Sequence, residues 1–137
     1  VLTTGKFNKM KKEVFIIDDD PIYCMIASKM IHKSDPSVRI CECNNGEEGL
    51  SELKTRDGAD QEIVVLLDIN MPVMDGWTFL EEIEKNNFYG LTHLDIYMVS
   101  SSVDQSDKLK AKNYEIIKHF FHKPLSREDV ELFLGEN

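Results

Sequence analysis

Ile63-Val64-Val65-Leu66-Leu67 runs for the length of a strand without one polar residue. A strand with one wet face would alternate apolar and polar side chains. An unbroken run therefore predicts cover on both faces, as for a central strand of a parallel sheet. Four more short runs, Val14–Ile17, Val38–Cys43, Ile96–Val99 and Ile116–Phe121, are mostly rich in Val, Ile or aromatics and also read as strands.

The intervening segments have helical character. Pro21 suits a first helical turn, and Ile22, Met25, Ile26 and Met30 recur behind it near the helical period. Gly46 to Arg56 reads as a second helix, and Trp77, Leu80 and Ile83 give a third an apolar stripe. A fourth is expected near Asp104 to Lys112. A fifth opens on Ser126 with Asp129 three residues later, in the manner of a capping box, ahead of Val130, Phe133 and Leu134. Strict alternation of strand and helix implies a parallel α/β sheet with right-handed crossovers and helices on both sides. In such sheets the ligand site lies beyond the carboxyl ends of the strands.

Composition narrows the function classes. The 137 residues suit one domain, expected over residues 13–137 after a polar lead-in at residues 1–12. Sixteen basic against 25 acidic residues leave a net charge of -9, which argues against the protein itself gripping nucleic acid or an anionic membrane surface. Cys24, Cys41 and Cys43 are odd in number and form no CxxC pair, so neither a disulfide framework nor a zinc site is expected, and reduced thiols in a cytoplasmic protein fit better. No stretch approaches the roughly 20 apolar residues of a spanning helix, and the opening stretch VLTTGKFNKMKKE lacks the apolar segment of a secretory signal. The four histidines are scattered without ligand spacing, and Asp68 to Asp75 lacks the ligand pattern of an EF-hand.

The predicted strand ends carry Asp18-Asp19-Asp20-Pro21, Asp68, Ser100-Ser101-Ser102 and Lys123-Pro124. Carboxylates crowded on one rim repel one another, so a stable site needs a cation or raised pKa values. Magnesium is the natural candidate, because it takes oxygen ligands from one or two carboxylates and accepts phosphate oxygens as well. A lysine and a hydroxyl at the same rim supply the charge neutralisation and hydrogen bonding that a transferring phosphoryl group needs, which leaves Asp68 as nucleophile.

Four blocks now carry a resemblance: Phe15 to Pro21 (FIIDDDP), Leu66 to Gly76 (LLDINMPVMDG), Met98 to Ser101 (MVSS) and Phe120 to Pro124 (FFHKP). In order and spacing, over about residues 13 to 134, the chain resembles the receiver domains of bacterial two-component response regulators. That resemblance implies a flavodoxin-like doubly wound sheet of five strands in the order 2-1-3-4-5 with five helices, an order for which the chemotaxis member of this family is a standard illustration. It further implies that Asp68 is the phosphoacceptor, and that Asp19, Asp68 and the backbone carbonyl of Asn70 hold Mg2+, with Asp18 acting mainly through a bound water. Lys123 would contact the phosphoryl group and Ser100 would swing in to hydrogen-bond it. Phe120, three residues before the lysine, would be the switch ring, with Phe121 as the neighbouring alternative. Phe120 stands where Tyr is common, Gly49 where a helix usually carries Ala, and Asn113-Tyr114 where a glycine turn is common. A left-handed Asn would serve that turn.

The partners implied are a histidine kinase or histidine phosphotransfer protein upstream and a protein target downstream, with a phosphorylation-dependent dimer as a further form. Direct nucleic-acid binding and membrane insertion are not expected. Nor is enzymatic turnover beyond self-catalysed phosphotransfer and autodephosphorylation. With only Gly-Glu-Asn after Leu134, no attached output module is expected in the chain. Two rivals remain: a haloacid-dehalogenase-like phosphatase, whose motif Asp18-x-Asp20 superficially fits, and a pseudo-receiver that only docks a partner. The first usually continues into Gly-Thr where Pro21-Ile22 stands and leaves LDINMPVMDG unexplained. The second commonly loses an acidic or lysine position, and none is lost here.

Overall fold

The computed structural model describes residues 11–56, 61–86, 93–102 and 104–135. Five strands, β1 (Lys11–Ile17), β2 (Arg39–Cys43), β3 (Gln61–Asp68), β4 (Leu94–Ser100) and β5 (Ile117–His122), alternate with five helices, α1 (Pro21–Ser34), α2 (Gly46–Thr55), α3 (Gly76–Asn86), α4 (Gln105–Ala111) and α5 (Arg127–Leu134). All strand pairs are parallel and the order is β2-β1-β3-β4-β5, a flavodoxin-like sheet. No helix among the described residues is long and apolar enough to cross a membrane.

Side chains alternate across the sheet. Val14, Ile16, Val64, Leu66 and Val99 point to one face, where they meet Cys24, Ala27 and Ile31 of α1 and Val130, Phe133 and Leu134 of α5. Phe15, Ile17, Ile63, Val65, Leu67, Ile96 and Met98 point to the other and pack on Leu50, Leu53, Trp77, Phe79, Leu80 and Ile83. The central run in β3 is buried throughout, as its lack of alternation requires. The helix starts are set by side chains that accept otherwise unpaired backbone N–H groups: Asp20 for α1, Asn45 for α2, and reciprocal boxes of Asp104 with Asp107 and of Ser126 with Asp129 for α4 and α5.

Three details differ from the sequence expectation. Strand β1 begins at Lys11, because Lys11 and Lys12 pair with Gln61 and Glu62 of β3; residues 1–10 of the expected lead-in lie outside the described residues. Helix α1 forms where the apolar periodicity puts it, but Ile22, Met25 and Ile26 are exposed and the face against the sheet is Cys24, Ala27 and Ile31. Small side chains allow the helix to approach the strands closely, which the bulkier set would prevent. Asn113 does not adopt the left-handed conformation: the turn into β5 closes through hydrogen bonds from Asn113, Tyr114 and Ile117 N–H groups to Lys110, Ala111 and Tyr114 carbonyls. Gly49 leaves room for its neighbours, since a Cβ there would lie 2.5 Å from Ile17 Cδ1 and 3.2 Å from Phe79 Cε2.

Candidate functional site

The carboxyl ends of β1 and β3 are adjacent in the sheet, so the residues just past them meet on one rim. Asp18 leaves β1 with its N–H donating to the Cys43 carbonyl at 3.0 Å, which ties it to the end of β2. Its Oδ1 accepts from Asp20 N–H at 2.9 Å, and its carbonyl accepts from the Cys24 thiol at 3.6 Å. These contacts turn the chain sharply from strand into helix and leave Asp18 only 1% exposed. Asp68 ends β3, 6% exposed, with Oδ1 accepting from Asn70 N–H at 3.2 Å. One carboxylate oxygen from each of Asp18, Asp19 and Asp68 falls within 4.8 Å of the others.

Gly76 allows α3 to press on this rim. Its N–H donates to the Ile69 carbonyl at 2.9 Å, and an added Cβ would come within 2.8 Å of the Asp68 carbonyl oxygen and 3.0 Å of Ile69 Cα. The glycine of the motif thus answers a close approach of backbone to backbone. The left-handed residue in this loop is Val73, with φ 71°, the one positive-φ residue other than glycine among the described residues.

Lys123 enters from β5, its N–H donating to the Ser100 carbonyl at 2.9 Å and its peptide bond to Pro124 cis. Its ammonium lies 2.7 Å from Asp18 Oδ2 and 3.7 Å from Asp68 Oδ2, and 4.3 Å from the centre of the Tyr23 ring. Burial works against the charged lysine, but the contact with Asp18 and the charges of Asp18, Asp68 and Asp20 outweigh it and hold its pKa above the ordinary lysine value. Asp68 is affected differently. Burial, and then the charge of Asp18, push its carboxyl up to about 6, with Lys123 offsetting part of the rise. Asp18 Oδ2 is buried and receives no well-directed hydrogen bond among the described residues, although Lys123 stands beside it.

A set of hard oxygen donors, close together, partly protected from water and two positive charges short of neutral when ionised, suits a divalent cation such as magnesium. One lysine shared between two buried carboxylates leaves the rim negative when all three Asp are ionised.

Ser100 is fully buried, and its hydroxyl is committed locally. It donates to the Ser102 carbonyl at 2.9 Å and accepts from Ser102 N–H at 3.1 Å and from the Asn70 side-chain amide at 3.4 Å. Phe120 lies away from the carboxylates, half-buried, with its ring 6.4 Å from Trp77. It faces that way because β5 takes in one extra residue: Ile96 pairs with Ile117 but Tyr97 pairs with His119, so Lys118 is bulged and the later residues of the strand change sides. Phe121 consequently packs on the opposite face, stacked on Tyr97 at 5.4 Å.

Trp77 is a packing residue, as its helical spacing suggests, but a well-connected one. It touches Tyr114 and Phe120, lies under Lys110, and donates from Nε1 to Asp107 at 3.4 Å. Asp107 belongs to the box that starts α4, a helix with no buried residue of its own. Tyr23 was not legible as a site residue, because nothing in its spacing links it to a lysine 100 positions later. Burial, followed by the nearby Asp18 charge, raises the Tyr23 phenol above its ordinary value, so it stays neutral.

Comparison with known proteins agrees with this geometry. The response regulator receiver domain family matches residues 14–133. The chain is 36% identical over 72% of its length to the Two-component response regulator ARR11 of Arabidopsis thaliana, and 33% identical over 84% of its length to the Sensor histidine kinase CheAY of Helicobacter pylori. It spans only 17% and 13% of those two proteins. The crystal structure of a two-component response regulator from Cytophaga hutchinsonii superposes with a TM-score of 0.78 at 25% identity, covering 89% of this chain and 92% of that one. The alternation that built the sheet, the acidic rim with its lysine, and a family match over most of its length lead to one assignment: the chain belongs to the receiver domains of two-component response regulators.

Proposed function

We propose that Asp68 accepts a phosphoryl group from a phosphohistidine of a histidine kinase or phosphotransfer protein. The observation that carries this reading is the half-buried lysine shared by the buried Asp18 and Asp68, 2.7 and 3.7 Å away, beside an Asp18 oxygen that lacks a directed hydrogen bond. Mg2+ held by Asp19, Asp68 and the Asn70 carbonyl, with Asp18 alongside, would neutralise the carboxylates and accept phosphoryl oxygens. The ionised Asp68 carboxylate attacks phosphorus in line. The O–P bond forms as the N–P bond breaks, and the donor imidazole leaves with the electron pair and takes up a proton. Lys123 stabilises the equatorial oxygens. Ser100 then exchanges the Ser102 carbonyl for a phosphoryl oxygen, and Phe120 shifts against Trp77, biasing a two-state equilibrium on the α4–β5–α5 side that a protein target reads.

The test is incubation with acetyl phosphate and Mg2+, with intact mass as the readout. Wild type is expected to gain one phosphoryl group and Asp68→Asn none; equal gain by both would defeat the assignment. The same reading makes the chain a signalling phosphoacceptor and not a turnover enzyme. A generic phosphomonoester should show no sustained hydrolysis, which separates it from the phosphatase alternative. The three free cysteines support a cytoplasmic setting.

Tyr23 of α1 lies beside Lys123 of the acidic rim, so a donor docking at Asp68 would meet the start of α1. Ile22 and Ile26 there line an apolar groove with Ala27, Met30, Pro124 and Leu125, and Ile22, Met25 and Ile26 are 64%, 48% and 50% exposed. We assign this face to the phosphodonor. Ile26→Lys should slow transfer from a protein donor roughly tenfold or more, as for loss of an apolar anchor at an interface. It should leave the acetyl phosphate rate unchanged, and slowing of both would refute a docking role.

A further inference from the structure

The geometry points to Tyr23 as a positioning residue for Lys123: its ring face holds the lysine ammonium over the acidic rim while the carboxylates change partners. This rests on the phosphoacceptor reading above and deepens it.

Lysine has a long flexible stem, and an ammonium with no fixed neighbour samples many rotamers. Three neighbours hold this one, namely Asp18 Oδ2 at 2.7 Å, Asp68 Oδ2 at 3.7 Å and the Tyr23 ring centre at 4.3 Å. Two of the three are carboxylates that a bound cation or an incoming phosphoryl group would engage. As they turn to those partners their hold on Lys123 weakens. The aromatic face attracts the cation through its quadrupole, carries no net charge, and is untouched by that exchange. It therefore keeps the ammonium near the reaction centre without neutralising it, so the full charge stays available to phosphoryl oxygens.

The ring itself is well placed for this. Tyr23 sits in the first turn of α1, where its backbone N–H donates to Asp20 Oδ1 at 3.3 Å, so the cap that starts the helix also sets the ring. The ring packs against the buried cluster formed by α1, α5 and the sheet. Its hydroxyl is buried without a hydrogen-bond partner among the described residues. The ring face, and not the hydroxyl, is what meets the Lys123 ammonium.

The experiment places Tyr, Phe, mono-, di- and trifluorinated Phe, and Leu at position 23 in the full chain, with thermal melting as a check that each variant folds. Fluorination drains the ring face of charge and barely changes its shape. Two readouts are taken. In protein carrying 13C-lysine, the Lys123 ε-methylene signal, identified by its loss in Lys123→Arg, should lie upfield from ring current in the Tyr and Phe proteins. It should return to the ordinary lysine position in Tyr23→Leu. The rate of phosphorylation by acetyl phosphate with Mg2+ should be similar for Tyr and Phe, fall stepwise with fluorination, and be lower in Leu by roughly three- to tenfold, the size of one partly desolvated cation–π contact. A flat rate across the fluorinated series, or an unshifted Lys123 signal in wild type, would overturn the role of Tyr23 while leaving Asp68 as acceptor. A shifted signal in a wild-type protein that takes no phosphoryl group would instead overturn the phosphoacceptor reading, and the positioning role with it.

Discussion

Strand β1 buries a carboxylate near each end, and the two are treated very differently. Glu13, 2% exposed, is met by the Arg56 guanidinium in a two-point contact of 2.9 and 2.6 Å and by the Gln61 amide at 3.3 Å. Arg56 also lies 5.1 Å over the Phe15 ring and reaches Glu52. Asp18, just past the other end, shares one lysine with Asp68 and keeps an oxygen without a directed bond. One pair is closed, satisfied and inert; the other is short of positive charge and open to a ligand. Burial of an acid is thus no sign of function by itself, and the sign is burial without completion.

That contrast can be broken by mutation. The largest effect should come from the closed end. Arg56→Ala leaves Glu13 buried without its countercharge and should lower unfolding free energy by about 3–5 kcal/mol, measured by urea denaturation and equal with and without Mg2+. A loss that Mg2+ reverses would mean the two ends are not independent.

The open end should behave in the opposite sense. Because the folded-state pKa of Asp68 is raised from 3.8 to about 6, the folded protein holds that proton more tightly than the unfolded chain does. Stability from this group is complete below about pH 4, declines as pH rises through the window up to about 6, and stays reduced above it. Asp68→Asn should therefore be more stable than wild type by about 1–3 kcal/mol at neutral pH, the two converging under acid conditions, and Mg2+ should narrow the gap. A neutral-pH loss of stability in Asp68→Asn would contradict the incomplete pairing described for this rim.

The smallest effect concerns backbone. The open end also holds Val73 at φ 71°, a conformation that a β-branched residue resists, with its side chain 95% exposed and contributing little packing. Val73→Gly should raise stability by about 1 kcal/mol in thermal or chemical denaturation. No gain would mean that the loop is not under strain.

Local patterns were readable in the sequence wherever a single element decides the outcome. The unbroken run in β3, the Ser126–Asp129 cap and the residues directly at strand ends needed only short-range chemistry. Failures came where distant parts decide. The apolar periodicity of α1 gave the helix but not its buried face, because the sheet selects Cys24 and Ala27 for close approach. The bulge at Lys118 belongs to a strand pairing, so the sidedness of Phe120 and Phe121 could not be read from simple alternation. Glu13 and Arg56 are 43 residues apart, and Tyr23 meets Lys123 only because α1 and the end of β5 converge. The acidic rim was legible as a set of residues; its incompleteness was not, since that depends on distances.

Trp77 is the only tryptophan in the chain. It touches Phe120, shares a hydrogen bond with Asp107 of α4 and lies under Lys110. Indole emission responds to neighbouring charge and ring contacts, so the protein carries an unlabelled optical probe of its responding side. Fluorescence at this one residue can track Phe120 and α4 while mass spectrometry tracks Asp68, giving cause and response in the same molecule two separate signals.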